Sequence, residues 1–425
     1  MSIDDKEFPD IHNAAIGHND DVVDEKRGNA ADRADMYRMG KVQEMRRNFR
    51  FLSIFGFSMI LMASWEFSLS VATVGLINGG TAGLIWMFFI CWVGFLLVNS
   101  SMAEMASMAP TTGGQYHWVS EFAPPQYQKF ISYLMGWMCV LGWQTSCASS
   151  AFIAGTQIQG LVVLNYPDYA PEAWHGTLLT VAVAAFSVLF NTILARKLPL
   201  IEALVLVIHI FAVFGILVAL WVLSPRADTK AVFTEFSDGG GWGSLGRLNP
   251  RGHTCRHIAT AGSSHSHETM LFPSAPWFSK VPAEWDVPIN AILTTFLISS
   301  LLSLINIGSA VALNSITSLA TTSLLSSYIV SIGCMTWRRW TKSPLLRSKF
   351  SLGQWGLAIN IASEAFLVVI FVLAFMPGNP NPMPSEMNWN ILIYSAVTLF
   401  SLAYYFFRGT HQYEGPVVYV RTLQQ

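Results

Sequence analysis

Residues 51–76 read FLSIFGFSMILMASWEFSLSVATVGL, with one charged side chain, Glu66, near the middle. A run of about 20 apolar residues crosses a hydrocarbon core of about 30 Å as a helix. An open chain in lipid can satisfy its backbone in no other way. The stretch is therefore predicted to be a transmembrane helix. The same reading finds eight further runs, at 83–105, 130–164, 175–194, 200–223, 289–307, 311–336, 355–375 and 389–407. The expected fold is an all-α integral membrane bundle of about nine spans.

Composition points the same way. Hydrophobic residues make up 52% of the 425 and charged residues only 12%, where a soluble chain carries about 25% charged. Lysine and arginine number 25 against 26 acids, so no basic excess suggests nucleic acid as a partner. The chain has no GxxxxGK[ST] loop for nucleotide phosphates. Cys91, Cys139, Cys147, Cys255 and Cys334 are odd in number and lack metal-ligand spacing, so no disulfide framework, metal or cofactor is expected. Residues 1–45 mix acids and bases with few aromatics and read as a disordered cytoplasmic tail; they lack the basic start and apolar core of a cleavable signal. A second tail is expected over 408–425.

The loops give contradictory topologies. Basic residues flanking spans mark the cytoplasmic side. Arg46, Arg47 and Arg50 place the N-terminus inside, and Arg196 and Lys197 agree after four crossings, so the chain is outside after the fifth. From the other end, Arg338, Arg339, Lys342, Arg347 and Lys349 mark a cytoplasmic loop, and the span at 289 must then start inside. Residues 224–288 contain no run long enough to cross, so an odd number of spans is missing, unless a segment re-enters or the charge rule fails locally. The middle of this irregular segment crowds His253, His257, His265 and His267 around Cys255. That spacing fits no closed zinc motif, and a polar connection is the expected reading.

Several separated stretches resemble the fungal amino acid, choline and GABA permeases of the amino acid, polyamine and organocation transporter superfamily. They include GKVQEMRRNFRFLSIFGFSMILMASWE at 40–66, LINGGTAGLIW at 76–86, SMAEMASMAPTTGGQYHWVSEFAP at 101–124 and YLMGWMCVLGWQ at 133–144. Later come WFSKVPAEWDVPINAIL at 277–293, SLLSLINIGS at 300–309, SLLSSYI at 323–329 and FSLGQWGLAINI at 350–361. The likeness covers about 50–245 and about 276–420. It implies a LeuT-like bundle of two inverted five-span repeats within twelve spans, the first repeat at 46–223 and four C-terminal helices at 289–407. Spans six to eight would then be absent between about 247 and 276. Three is odd, as the loop charges require. A deletion or a gene-model error accounts for both.

The resemblance also implies a solute site where the first span breaks, here at Ala63, Ser64, Trp65 and Glu66. Trp65 could face an ammonium group. Independently of any likeness, a carboxylate mid-span costs about 2.5–3.5 kcal/mol on insertion scales and usually faces a cavity or partner, which makes Glu66 a candidate proton or cation site. Packing of Trp65, and placement of Glu66 at the membrane edge, are the structural alternatives. Gln144, with Cys147 and Ser150 at helical spacing, is a candidate to line the solute path. Gly136, Gly142 and Gly155 are expected to admit neighbouring helices closely. Gly113 and Gly114 read as a hinge at the inner gate. Glu202, beside Arg196 and Lys197, reads as an edge ion pair, His209 as a packed histidine, and Glu364 as a weaker candidate.

The expected function is secondary, proton-coupled transport of an amino acid, choline or a related amine such as GABA, in the plasma membrane with a cytoplasmic N-terminus. The partners are the solute, a coupling proton or cation, and the bilayer. A non-transporting sensor and an inactive truncated paralogue are the alternatives; no nucleophile with its base supports an enzyme.

Overall fold

The computed structural model describes residues 55–56, 58–60, 64–111, 113–194, 197–239, 289–308, 310–346, 348–377, 381–384, 387–413 and 415. Most of these residues are helical, and there is no strand among the described residues. Helix α1 runs Ser64–Met108, followed by α2 Gly114–Phe122, α3 Gln128–Asn165, α4 Ala173–Thr192, α5 Leu198–Leu223 and the short α6 Thr229–Thr234. After residues 240–288, which lie outside the described set with the histidine cluster and Cys255, come α7 Ile289–Ser303, α8 Ile305–Gly308 and α9 Ala310–Trp340. Helix α10 is Gly356–Leu373 and α11 is Asn390–Tyr404, continued by a π turn at Tyr405–Gly409 and by α12 Thr410–Gln412.

Eight helices among the described residues are long and apolar enough to cross a membrane. The difference from nine lies at the start. Most of 51–63 is outside the described residues, and the rest of the first expected span runs into the second as α1, interrupted at Gly80. Gly80 has φ 67° and ψ −171°, a conformation open essentially to glycine alone. A Cβ there would meet the backbone N of Ser237 at 2.9 Å.

Helix α9 is central and α5 peripheral, and their compositions say why. Ser315, Ser318, Thr321, Thr322, Ser323, Ser326, Ser327 and Ser331 on α9 are all buried. Hydroxyls facing lipid would be costly, so the helix that carries them sits inside, where several bond back to their own backbone, as Thr322 does to the Ser318 carbonyl at 2.8 Å. By contrast α5 is almost wholly aliphatic and aromatic, and none of its apolar window is buried within the bundle. Close approaches of α3 occur at small residues: a Cβ on Gly142 would lie 2.9 Å from Leu324 of α9, and one on Gly155 3.1 Å from Thr180 of α4. Cys91 on α1 is fully buried.

Contacts define the two ends of the bundle. At one end the segment after α5 covers the turn at Gly80: the Gly239 N–H donates to the Ile77 carbonyl at 2.8 Å and the Ser237 hydroxyl to the Leu76 carbonyl at 3.1 Å. The end of α7 lies at that same end, near the start of α4, because Thr177 Oγ1 donates to the Ser303 carbonyl and Asn306 Nδ2 to the Ala173 carbonyl. The opposite, basic end gathers the end of α1, all of α2, the start of α3, the end of α9 and residues 410–413. The chain therefore leaves the described residues at 239 at one end and re-enters at 289 at the other.

Candidate functional site

The sequence singled out Glu66 on α1 and left His209 on α5 as a packing residue. The structure brings them together. His209 Nδ1 lies 2.7 Å from Glu66 Oε1, the histidine 10% and the carboxylate 37% exposed. Trp65 Nε1 lies 3.2 Å from that same nitrogen, with the two rings 5.6 Å apart at 49°.

The geometry sets a choice. Nδ1 has either a hydrogen or a lone pair. With a hydrogen it donates to a Glu66 carboxylate and turns Trp65 away as a donor; with its one lone pair it accepts from Trp65 or from a protonated Glu66. One proton moved between Glu66 and His209 therefore changes the bonding of the tryptophan beside them. The contact joins two apolar helices, with the His209 side chain only 10% exposed, where hydrogen bonds count for more than in water. The signal that could have found His209 was an ionisable group on the most apolar span of the chain.

Ser64, Trp65 and Glu66 lie in the helical part of α1, and Ala63 lies outside the described residues. Gln144 on α3 donates from Nε2 to Thr295 Oγ1 of α7 at 3.1 Å, and its Oε1 is buried without a hydrogen-bond partner among the described residues. It sits between helices from the two halves of the chain, apart from the Glu66 pair. Glu202 Oε2 and Glu364 Oε1 also lack partners there, with Glu364 facing Gly333 of α9; of the expected partners of Glu202, Arg196 lies outside the described residues and the exposed Lys197 forms no ion pair with it.

Gly113 and Gly114 are both buried at the basic end. Gly114 has φ 47°, which lets the chain reverse from α1 into α2 without Cβ strain. Trp118 Nε1 closes the reversal by donating to the Ala109 carbonyl at 2.9 Å.

A bundle of helices long enough to cross a bilayer, with ionisable and amide groups meeting between them, is the build of a multi-pass membrane solute carrier. The chain belongs to the amino acid permease family: the family model matches residues 49–248 and 267–397. This places it in the amino acid, polyamine and organocation superfamily, whose members are transporters and not enzymes. It is 22% identical over 527 aligned positions to an uncharacterized amino-acid permease of Schizosaccharomyces pombe, covering 97% of this chain and 93% of that one. A choline transporter of Saccharomyces cerevisiae is 29% identical over 250 residues, 56% of this chain and 43% of that one. A Macrophomina phaseolina protein provisionally named an amino acid/polyamine transporter is 32% identical over 192 residues, 44% of this chain and 42% of that one. The chain thus spans less than half the length of two of these relatives. No solved structure matches it.

Proposed function

We propose that this permease is a secondary transporter for an amino acid, choline or a related amine such as GABA, driven by protons through the Glu66 and His209 pair. The observation that carries the reading is the 2.7 Å contact between these two side chains across α1 and α5. A site that must couple solute to a proton needs a group that changes its bonding when the proton arrives, and Trp65 supplies a ring next to it that an ammonium could face. The choline transporter among the relatives supports a cationic nitrogen in the solute. The basic end is read as cytoplasmic and the membrane as the plasma membrane.

The test is uptake of labelled choline, GABA and amino acids into vesicles holding the purified protein, with the outside acidic. Accumulation that collapses with a protonophore is the expected result. Accumulation indifferent to the gradient would remove proton coupling, and binding without accumulation would favour a sensor.

A second reading has its own support. The family match breaks at 249–266, and the alignment to the Schizosaccharomyces pombe permease runs over more than a hundred positions beyond this chain's length. Together with the exit at one end and re-entry at the other, this favours three absent spans between about 247 and 276. The literal chain would then be inactive and its restored form active. Sequencing the transcript across the codons for 246–277 decides: about a hundred further apolar-rich residues are expected, and an uninterrupted read would leave a damaged paralogue.

A further inference from the structure

The basic end contains a second carboxylate that neither the transport reading nor the family match uses. Glu104, four residues before the end of α1, has a fully buried side chain and meets Arg339 Nη2 of α9 at 2.5 Å, with the arginine 9% exposed. The same carboxylate accepts the Leu352 backbone N–H at 2.9 Å and the Ser351 hydroxyl at 3.2 Å. One turn on, Ser107 Oγ accepts the N–H groups of Lys349 and Phe350, both at 2.8 Å.

Room for the guanidinium comes from α10. A Cβ on Gly356 would lie 1.2 Å from Arg339 Nη1, so only glycine leaves space for the arginine as it stands. The neighbouring Arg338 turns the other way: it donates to the Glu121 carbonyl of α2 at 2.7 Å and to the Pro344 carbonyl at 2.9 Å, and lies 5.7 Å from the Phe122 ring centre.

We infer that Glu104 and Arg339 are a positioning pair for transport: they join the basic ends of α1, α9 and α10 into one body, against which the Gly113 and Gly114 bend and α2 are held by Arg338. The inference rests on the transport reading only through its uptake readout. A carboxylate ringed by three donors is held in place, and removing one member of its pair leaves the other buried without its partner.

The test uses Glu104→Gln, Arg339→Gln and the double variant in the full chain. Thermal melting of the detergent-purified proteins reads the joint without any solute. Each single variant is expected to melt earlier than the double, because the double removes both charges together. In vesicles, the singles are expected to lose maximal uptake by roughly tenfold or more with KM unchanged, and the double to regain part of it, since the pair lies apart from Trp65 and Glu66. A purely structural role would change the amount of folded protein, and uptake per folded molecule would stay at the parent's value.

Melting of both singles at the parent's temperature, or a double variant worse than either, overturns the joint; unchanged uptake per folded molecule, or a raised KM, overturns its positioning role. Should the singles fail to fold, recovery of folding in the double supports the joint and its failure overturns it. If the parent itself accumulates no solute, the transport reading falls, and the melting series still decides the joint.

Discussion

Glu66 and Glu104 stand on the same helix and meet opposite fates. Glu104 is fully enclosed, paired with Arg339 and bonded to Leu352 and Ser351. Glu66 remains 37% exposed and meets His209 at a nitrogen that Trp65 also approaches. A guanidinium donates and cannot accept, so the first arrangement has one direction of hydrogen bonding. A histidine ring nitrogen can either donate or accept, so the second has alternative hydrogen bonds open to it. The difference teaches how one helix can be anchored at its end and responsive nearer its start.

The comparison is broken most forcefully at its fixed side. Arg339→Ala strands a buried carboxylate, and removing one member of such a pair costs about 3–5 kcal/mol; a large fall in the melting temperature of the purified protein is expected. An unchanged melting curve would mean that the enclosure of Glu104 contributes nothing. Next comes Gly80→Ala, at the interruption between the two expected spans of α1. Its φ of 67° with extended ψ costs a non-glycine residue about 1–3 kcal/mol, and the new Cβ would press on the Ser237 backbone N at 2.9 Å. Melting should fall by less than for Arg339→Ala, and protease cleavage after α5 should quicken as residues 235–239 are pushed off.

These two sites differ also in how much of them the sequence disclosed. The helices were readable because a bilayer imposes one length and one backbone solution on every apolar run, and α3, α4, α5, α9 and α10 begin and end within a few residues of those runs. Loop charge supplied only the proposal that an odd number of crossings is absent, because each crossing reverses the side and basic residues mark the cytoplasmic one. Pairings across the bundle were not. Glu104 and Arg339 are 235 positions apart and Glu66 and His209 are 143 apart; no periodicity links them, since which helix faces which is fixed only by packing. Arg339 looked like one more basic loop residue because loop charge explains it equally well. The resemblance placed attention on Trp65 and Glu66 but left their partner unnamed.

A smaller effect tests whether the basic end is held from its other flank. Tyr413, just beyond the last span, donates to the Tyr116 hydroxyl at 2.9 Å and contacts Ser132 Oγ at 3.0 Å, while Lys129 Nζ donates to the Thr410 carbonyl at 2.7 Å. Tyr413→Phe removes a hydroxyl from this buried cluster, at a net cost of about 0.5–1.5 kcal/mol. Burial pushes the Tyr413 phenol up to about 12 from 10.0, against the bonds to Ser132 and Tyr116 that lower it. A raised folded value means the folded state holds the proton more tightly. The stabilisation is thus fully present below pH 10 and is lost as pH climbs toward 12. Melting against pH should show this loss in the parent and a shallower one in Tyr413→Phe; parallel curves would place the alkaline transition elsewhere.

The smallest expected change in stability is at Glu66, and it sharpens the comparison most. Glu66→Gln keeps the shape of the side chain and removes a partly exposed charge, so the cost is about 1 kcal/mol or less. Melting should barely move. The glutamine amide can still meet His209 Nδ1, but it can no longer carry a proton to or from it. If the pair couples proton to solute, the variant should fold and bind solute while losing accumulation under an acid-outside gradient, and its residual uptake should cease to depend on external pH. His209→Gln should behave alike, and the two changes together should do no more than either alone, because each breaks the same two-membered exchange. Additive losses would mean that Glu66 and His209 act separately, and that the 2.7 Å contact between them is packing rather than coupling.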